Sequence, residues 1–133
     1  MTGRPPSGRV VAAVVQMTST ADVERNLATA LRLTDEAAAR GAAFVALPEN
    51  FAFLRSAGDP APEAQVVDGP WARRMAESAR RHRITLLLGS LPEHVPGDTR
   101  VRNTSVLIGP DGQTLACYRK IHLSTSICQG WST

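Results

Sequence analysis

Three kinds of side chain here could do chemistry at neutral pH: a carboxylate set just behind a proline, a solitary lysine and two thiols. Glu49 follows Val45-Ala46-Leu47-Pro48. The apolar run has the length of a short buried strand, and Pro48, which cannot donate to a sheet ladder, ends it. A carboxylate at the carboxyl end of a strand stands where open α/β sheets place their ligand crevices. There it could act as a general base or acid, although a solvated first loop residue is the commoner case for this stretch taken alone. Lys120 is the only lysine among fifteen basic residues. Either it survives a bias toward arginine, or it marks a place that needs a compact ammonium, which a guanidinium does not imitate.

The two thiols, Cys117 and Cys128, form no disulfide framework, and both are expected to be reduced. His82, His94 and His122 are scattered and no Cys-x-x-Cys occurs, so no metal site is expected. Neither a Gly-x-Gly-x-x-Gly turn nor a phosphate-cradling Gly-Lys-Ser/Thr loop is present, and no cofactor is expected. Ser19, Ser90 and Ser105 lack the Gly-x-Ser-x-Gly elbow of a serine nucleophile.

The elements that must position these residues fit one domain. The 133 residues are 43% hydrophobic and 20% charged but only 5% aromatic, which implies a core of Val, Leu, Ile and Ala. The apolar stretches 10–15 and 84–88 are too short to span a bilayer, and no membrane partner is expected. Residues 1–8 carry positive charge without a following secretory h-region and read as a flexible leader on a cytoplasmic protein. The net charge of +3 does not point to nucleic acid: Arg73, Arg74, Arg80 and Arg81 fall on one outer helical stripe, with no aromatic residues interleaved.

Residues 9–16 form a near-continuous apolar run, a pattern that suits a strand covered on both faces. Asp22 or Ser19 caps a helix whose inner stripe is Val23, Leu27, Ala30, Leu31, Thr34, Ala37 and Ala38, and Gly41 ends it. With the strand at 45–47 this makes a βαβ unit. The loop 50–69 has no periodicity, and Phe51, Phe53 and Leu54 are expected to fold back over Glu49. Pro70 opens a second helix with Trp71, Met75, Ala76 and Ala79 inside, ahead of a strand at 84–90. A polar loop is expected over 91–102. A hairpin then joins 103–108 to 114–118 around Gly109-Pro110-Asp111-Gly112, with Cys117 a small buried residue of its second strand.

Leu47-Pro48-Glu49-Asn50-Phe51, Leu88-Gly89-Ser90-Leu91, Asn103-Thr104-Ser105-Val106-Leu107-Ile108 with Asp111-Gly112, and Tyr118-Arg119-Lys120-Ile121-His122-Leu123 occur in that order. Together they resemble the nitrilase superfamily of carbon–nitrogen hydrolases over about residues 10–123, most closely the Nit-type amidases. The resemblance implies an α/β fold, a partial αββα sandwich seen here mainly as one sheet with two helices on one face. It also implies a Glu–Lys–Cys site acting on small amides, ω-amides of dicarboxylates or deaminated glutathione, with Glu49 as the base and Lys120 as the oxyanion-stabilising cation.

The family's Gly-x-x-x-Cys-Tyr segment, which brings the nucleophile, has no match, and neither does its second glutamate. Cys128 follows Lys120 too closely and opens no helix. The resemblance ends at Leu123, so 124–133 read as a tail outside the family and 9–123 as the N-terminal part of the hydrolase domain. Apart from an intact small enzyme that uses Cys128 through a rearranged tail, two readings result. In one the chain is a family polypeptide truncated before its thiol and inactive alone. In the other it is a non-catalytic half-domain that associates, with a second copy or another chain, through its exposed sheet face.

Overall fold

Two helices lie against one face of a five-stranded sheet in the computed structural model, which describes residues 8–59 and 64–122. Strand β1 (Ala12–Val14), helix α1 (Val23–Ala39), β2 (Phe44–Ala46), α2 (Pro70–His82), β3 (Thr85–His94), β4 (Val101–Ile108) and β5 (Thr114–Arg119) follow one another along the chain. Their order across the sheet is the same as in sequence. β1, β2 and β3 run parallel, with α1 and α2 in the connections, while β3, β4 and β5 are antiparallel neighbours.

The helices form where capping and periodicity agree. The Asp22 side chain accepts the Arg25 N–H at 3.1 Å as the N-cap of α1, and Gly41, at φ 89°, takes the left-handed turn beyond its end. Pro70 occupies the first turn of α2, where its missing N–H costs nothing. Leu27 and Ala30 of α1 and Trp71, Ala72, Met75 and Ala79 of α2 pack on Val45, Leu86, Leu88, Val106 and Ile108 of the sheet. Ala12 and Val14, Phe44 and Ala46, Leu87, Leu107 and Ala116 are register partners on the opposite face. None of these is fully buried, and Val14 is 89% exposed. The result is an α/β half-sandwich, helices on one face and apolar side chains uncovered on the other.

Four expectations need correction. The run at 9–16 is not covered on both faces: β1 is the edge strand, and Val10, Val11 and Val14 are exposed. Residues 91–94 are not loop but the continuation of β3, with Leu91, Pro92 and Glu93 buried. Phe51, Ala52 and Phe53 do not cover Glu49. They turn into the core, where Ser19 Oγ donates to the Phe51 carbonyl and Asn26 Nδ2 to that of Ala52. Cys117 is exposed rather than buried. Residues 1–7 of the expected leader, and the tail from Leu123 with Cys128, lie outside the described residues.

Candidate active site

Glu49 starts at the end of β2, yet it must reach β4 and β5, two and three strands away. Neighbouring strands are about 4.8 Å apart, so a side chain rising straight from β2 could not do this. The chain solves the problem at Gly89. A Cβ placed there would come within 2.3 Å of the Leu47 carbonyl oxygen and of the Pro48 carbonyl group. The backbone at Pro48 therefore lies directly on β3 and carries Glu49 toward the far strands. Asn50 then takes a left-handed conformation at φ 56°, which asparagine tolerates better than most residues, and its N–H donates to Ser90 Oγ at 2.9 Å. Ser105 Oγ holds the Gly89 carbonyl from β4.

On the other side, Lys120 follows the last residue of β5, and its N–H donates to the Asn103 carbonyl at 2.8 Å. The two halves meet at a single atom. Glu49 Oε1 accepts from Lys120 Nζ at 3.1 Å and from Asn103 Nδ2 at 2.9 Å. The Glu49 and Lys120 side chains keep 53% and 39% of their exposure, so the pair sits at the open surface rather than inside the core.

Next to it lies a second ion pair of different character. Glu93 is 3% exposed and accepts from Arg119 through two nitrogens at 2.8 and 2.6 Å, and from Thr104 Oγ1 at 2.6 Å. The Glu93 carboxylate holds the Arg119 guanidinium above its ordinary value. A forked bond of this kind satisfies a carboxylate that would otherwise be costly to bury. It also anchors the end of β5 to β3, one residue before Lys120.

Cys117 does not join this group. Cys117 is the register partner of Val106, whose side chain lies beneath the helices, whereas Ser105, Leu107, Ala116 and Tyr118 alternate to the uncovered face. Cys117 therefore points away from the face that carries Glu49 and Lys120. Among the described residues no cluster of His, Cys, Asp and Glu could hold a metal ion.

Sequence reasoning brings Glu49 and Lys120 together only by resemblance, and gives no role to Asn103, Gly89 or Glu93. Gly89 has a local signal, since a glycine inside a strand pattern often marks a close backbone approach. Asn103 and Glu93 have none, because their partners are 54 and 26 residues away.

A family model described as carbon-nitrogen hydrolase matches residues 11–130. The chain belongs to the carbon–nitrogen hydrolase family. Among its relatives, a deaminated glutathione amidase of Synechocystis sp. is 40% identical over 114 residues, covering 85% of this chain and 42% of that protein. The human omega-amidase NIT2 is 36% identical over 111 residues, covering 84% of this chain and 40% of its own length. The chain thus spans less than half the length of these relatives. Among solved structures, the Caenorhabditis elegans NitFhit protein has a TM-score of 0.71 at 32% identity, over 85% of this chain and 28% of that one. A double mutant of the Nesterenkonia sp. AN1 amidase in complex with acrylamide has a TM-score of 0.72 at 27% identity, over 92% and 47%. This carbon–nitrogen hydrolase chain therefore has the α/β fold of the nitrilase superfamily, and no helix among its described residues is long and apolar enough to cross a membrane.

Proposed function

We propose that Glu49 and Lys120 are the general base and the oxyanion-stabilising cation of a site that hydrolyses the non-peptide carbon–nitrogen bond of small amides, of the ω-amide or deaminated-glutathione type. The observation that carries this reading is the 3.1 Å contact between Lys120 Nζ and Glu49 Oε1, made by residues 71 positions apart. Glu49 takes the proton of the attacking nucleophile. Its electron pair forms the bond to the amide carbon, and the carbonyl oxygen gains negative charge beside the Lys120 ammonium. Collapse of the intermediate expels the amide nitrogen, which leaves as ammonia with the proton returned by Glu49.

Cys117 faces the other side of the sheet and Cys128 lies outside the described residues, so water is the nucleophile that this reading assigns to the pair. A water activated by Glu49 is a weaker nucleophile than a thiolate, so turnover by that route is expected to be slow. The uncovered apolar face supports a second reading, in which the half-sandwich works by associating with another chain through that face.

The test is ammonia release from succinamic acid, a small ω-amide, at stoichiometric concentrations of the full chain. Glu49→Gln is expected to lower release at least about 100-fold and Lys120→Met by a similar factor. Equal release from wild type and Glu49→Gln would sink the reading. Loss with Cys128→Ala and retention with Cys117→Ala would replace water by a thiol as the nucleophile.

A further inference from the structure

Asn103 occupies an unusual place in the site. Its backbone carbonyl accepts the N–H of Lys120, while its side-chain amide donates to the carboxylate of Glu49. One residue on β4 thus grips the main chain of the cation and the side chain of the anion. Both donors, Asn103 Nδ2 and Lys120 Nζ, converge on the same oxygen, Oε1. Among the described residues Oε2 has no hydrogen-bond partner.

That asymmetry has a chemical meaning. An oxygen that already accepts two hydrogen bonds, one of them from an ammonium, is a poor proton acceptor, because protonation would disrupt both. The other oxygen keeps its lone pairs free. A carboxylate bound only to a flexible lysine could swing, so that either oxygen met the ammonium and neither was reliably presented to a nucleophile. The amide of Asn103 removes that freedom. It belongs to a residue fixed in the ladder, with Pro92 as its register partner on one side and the Lys120 N–H bonded to its carbonyl on the other. Its short side chain has few rotamers to explore.

We propose that Asn103 is a positioning residue: it pins Oε1 of Glu49 together with Lys120, so that Oε2 is the oxygen that takes the nucleophile's proton. This rests on the reading of Glu49 as the general base and adds to it the identity of the basic atom and the group that selects it. Among the described residues the charged groups paired at this point are Glu49 and Lys120 themselves. Arg119 and Glu93, on the neighbouring positions of β5 and β3, are engaged with one another.

The experiment has a structural arm and a kinetic arm, both on the full chain. In the nitrogen-15 NMR spectrum, one proton of the Asn103 carboxamide should lie downfield and exchange slowly, as expected for an amide bonded to a carboxylate. Both protons should return to free-amide positions in Glu49→Gln. In ammonia release from succinamic acid, Asn103→Ala should lower kcat about 10- to 100-fold. KM is expected to stay within about twofold, and thermal unfolding should be unchanged, because an interaction felt only in proton transfer acts on kcat. Adding Glu49→Gln to Asn103→Ala should cost no more than Glu49→Gln alone.

Free-amide shifts for Asn103 in the wild type would overturn the inference. So would full kcat in Asn103→Ala alongside a large loss in Glu49→Gln. If Glu49→Gln keeps its activity, or the wild type releases no ammonia, it is the general-base reading that fails. The carboxamide shifts then decide separately whether Asn103 holds the Glu49 carboxylate.

Discussion

At the scale of single residues, the site depends on a side chain that is missing. Glu49 reaches Lys120 because the backbone at Pro48 rests on β3 at Gly89, and any Cβ at that position would overlap the Leu47 and Pro48 carbonyls. The obstruction is backbone, so no side-chain rotation relieves it. Gly89→Ala should therefore push the 47–49 segment off the sheet and separate Glu49 from Lys120. The expected cost is about 1–3 kcal/mol in denaturant unfolding, typical of overpacking a tight contact. A local readout is available because Lys120 is the only lysine. Its acylation by an amine-directed reagent, followed by peptide mass spectrometry, should accelerate in Gly89→Ala. An alanine variant of wild-type stability and unchanged Lys120 reactivity would show that the close approach is dispensable.

At the scale of elements, what could be read from the sequence was what local pattern controls. The 3.6-residue stripes, Asp22, Gly41 and Pro70 set both helices to within a residue or two of their observed ends. The hairpin at 109–112 follows from its turn residues. The extension of β3 through Leu91-Pro92-Glu93 was not legible, because a proline and a charge argue for loop unless their partners are known. Those partners are distant: Gln65 N–H on the Pro92 carbonyl, and Arg119 and Thr104 on Glu93. In the same way, Glu49 and Lys120 were visible as candidates, but the asparagine that joins them was not.

The two helices are joined by a contact of the same long-range kind. Asp35 Oδ1 of α1 accepts from Ser78 Oγ at 3.0 Å, Arg81 at 3.0 Å and His82 Nε2 at 2.8 Å, all on α2. Burial pushes the Asp35 carboxyl up, but the hydrogen bonds from His82, Ser78 and Arg81 outweigh it and hold the group below the usual carboxylate range. A carboxyl depressed in the folded state contributes stability that is fully present above its unfolded value, about 3.9, and is lost as pH falls through the lower folded value. Asp35→Asn should thus be less stable than wild type at pH 7, by no more than about 1 kcal/mol because the carboxylate is 41% exposed and screened by solvent, in part because Ser78, 1% exposed, loses a charged acceptor. The difference should shrink as pH falls below about 4. Urea unfolding across that range would measure it, and a pH-independent gap would show that the Asp35 charge is not the source.

At the scale of the whole molecule, the helices and the candidate site lie on different sides of the sheet. One face carries Leu27, Met75 and Trp71 packed over the strands. The other carries Val14, Phe44, Ala46, Leu87, Leu107 and Tyr118 without a cover among the described residues, and Glu49 and Lys120 stand at its border. An apolar surface continuous over several strands is expected to seek a partner. Burying one aliphatic or aromatic side chain in a contact contributes about 1.5–3 kcal/mol, and 1.4 kcal/mol is a factor of ten in affinity. The purified chain should therefore self-associate in sedimentation velocity at micromolar concentration. Val14→Lys with Tyr118→Lys should weaken that association at least about 10-fold. Val14 and Tyr118 are 89% and 59% exposed, so the pair of substitutions should leave thermal unfolding nearly unchanged. Such an outcome would separate the face as a docking surface from the face as part of the folded core. A chain that stays monomeric at every concentration, with or without the lysines, would show that the uncovered face tolerates water. The association reading would then fall, while the Glu49–Lys120 chemistry would stand or fall on the amide assay alone.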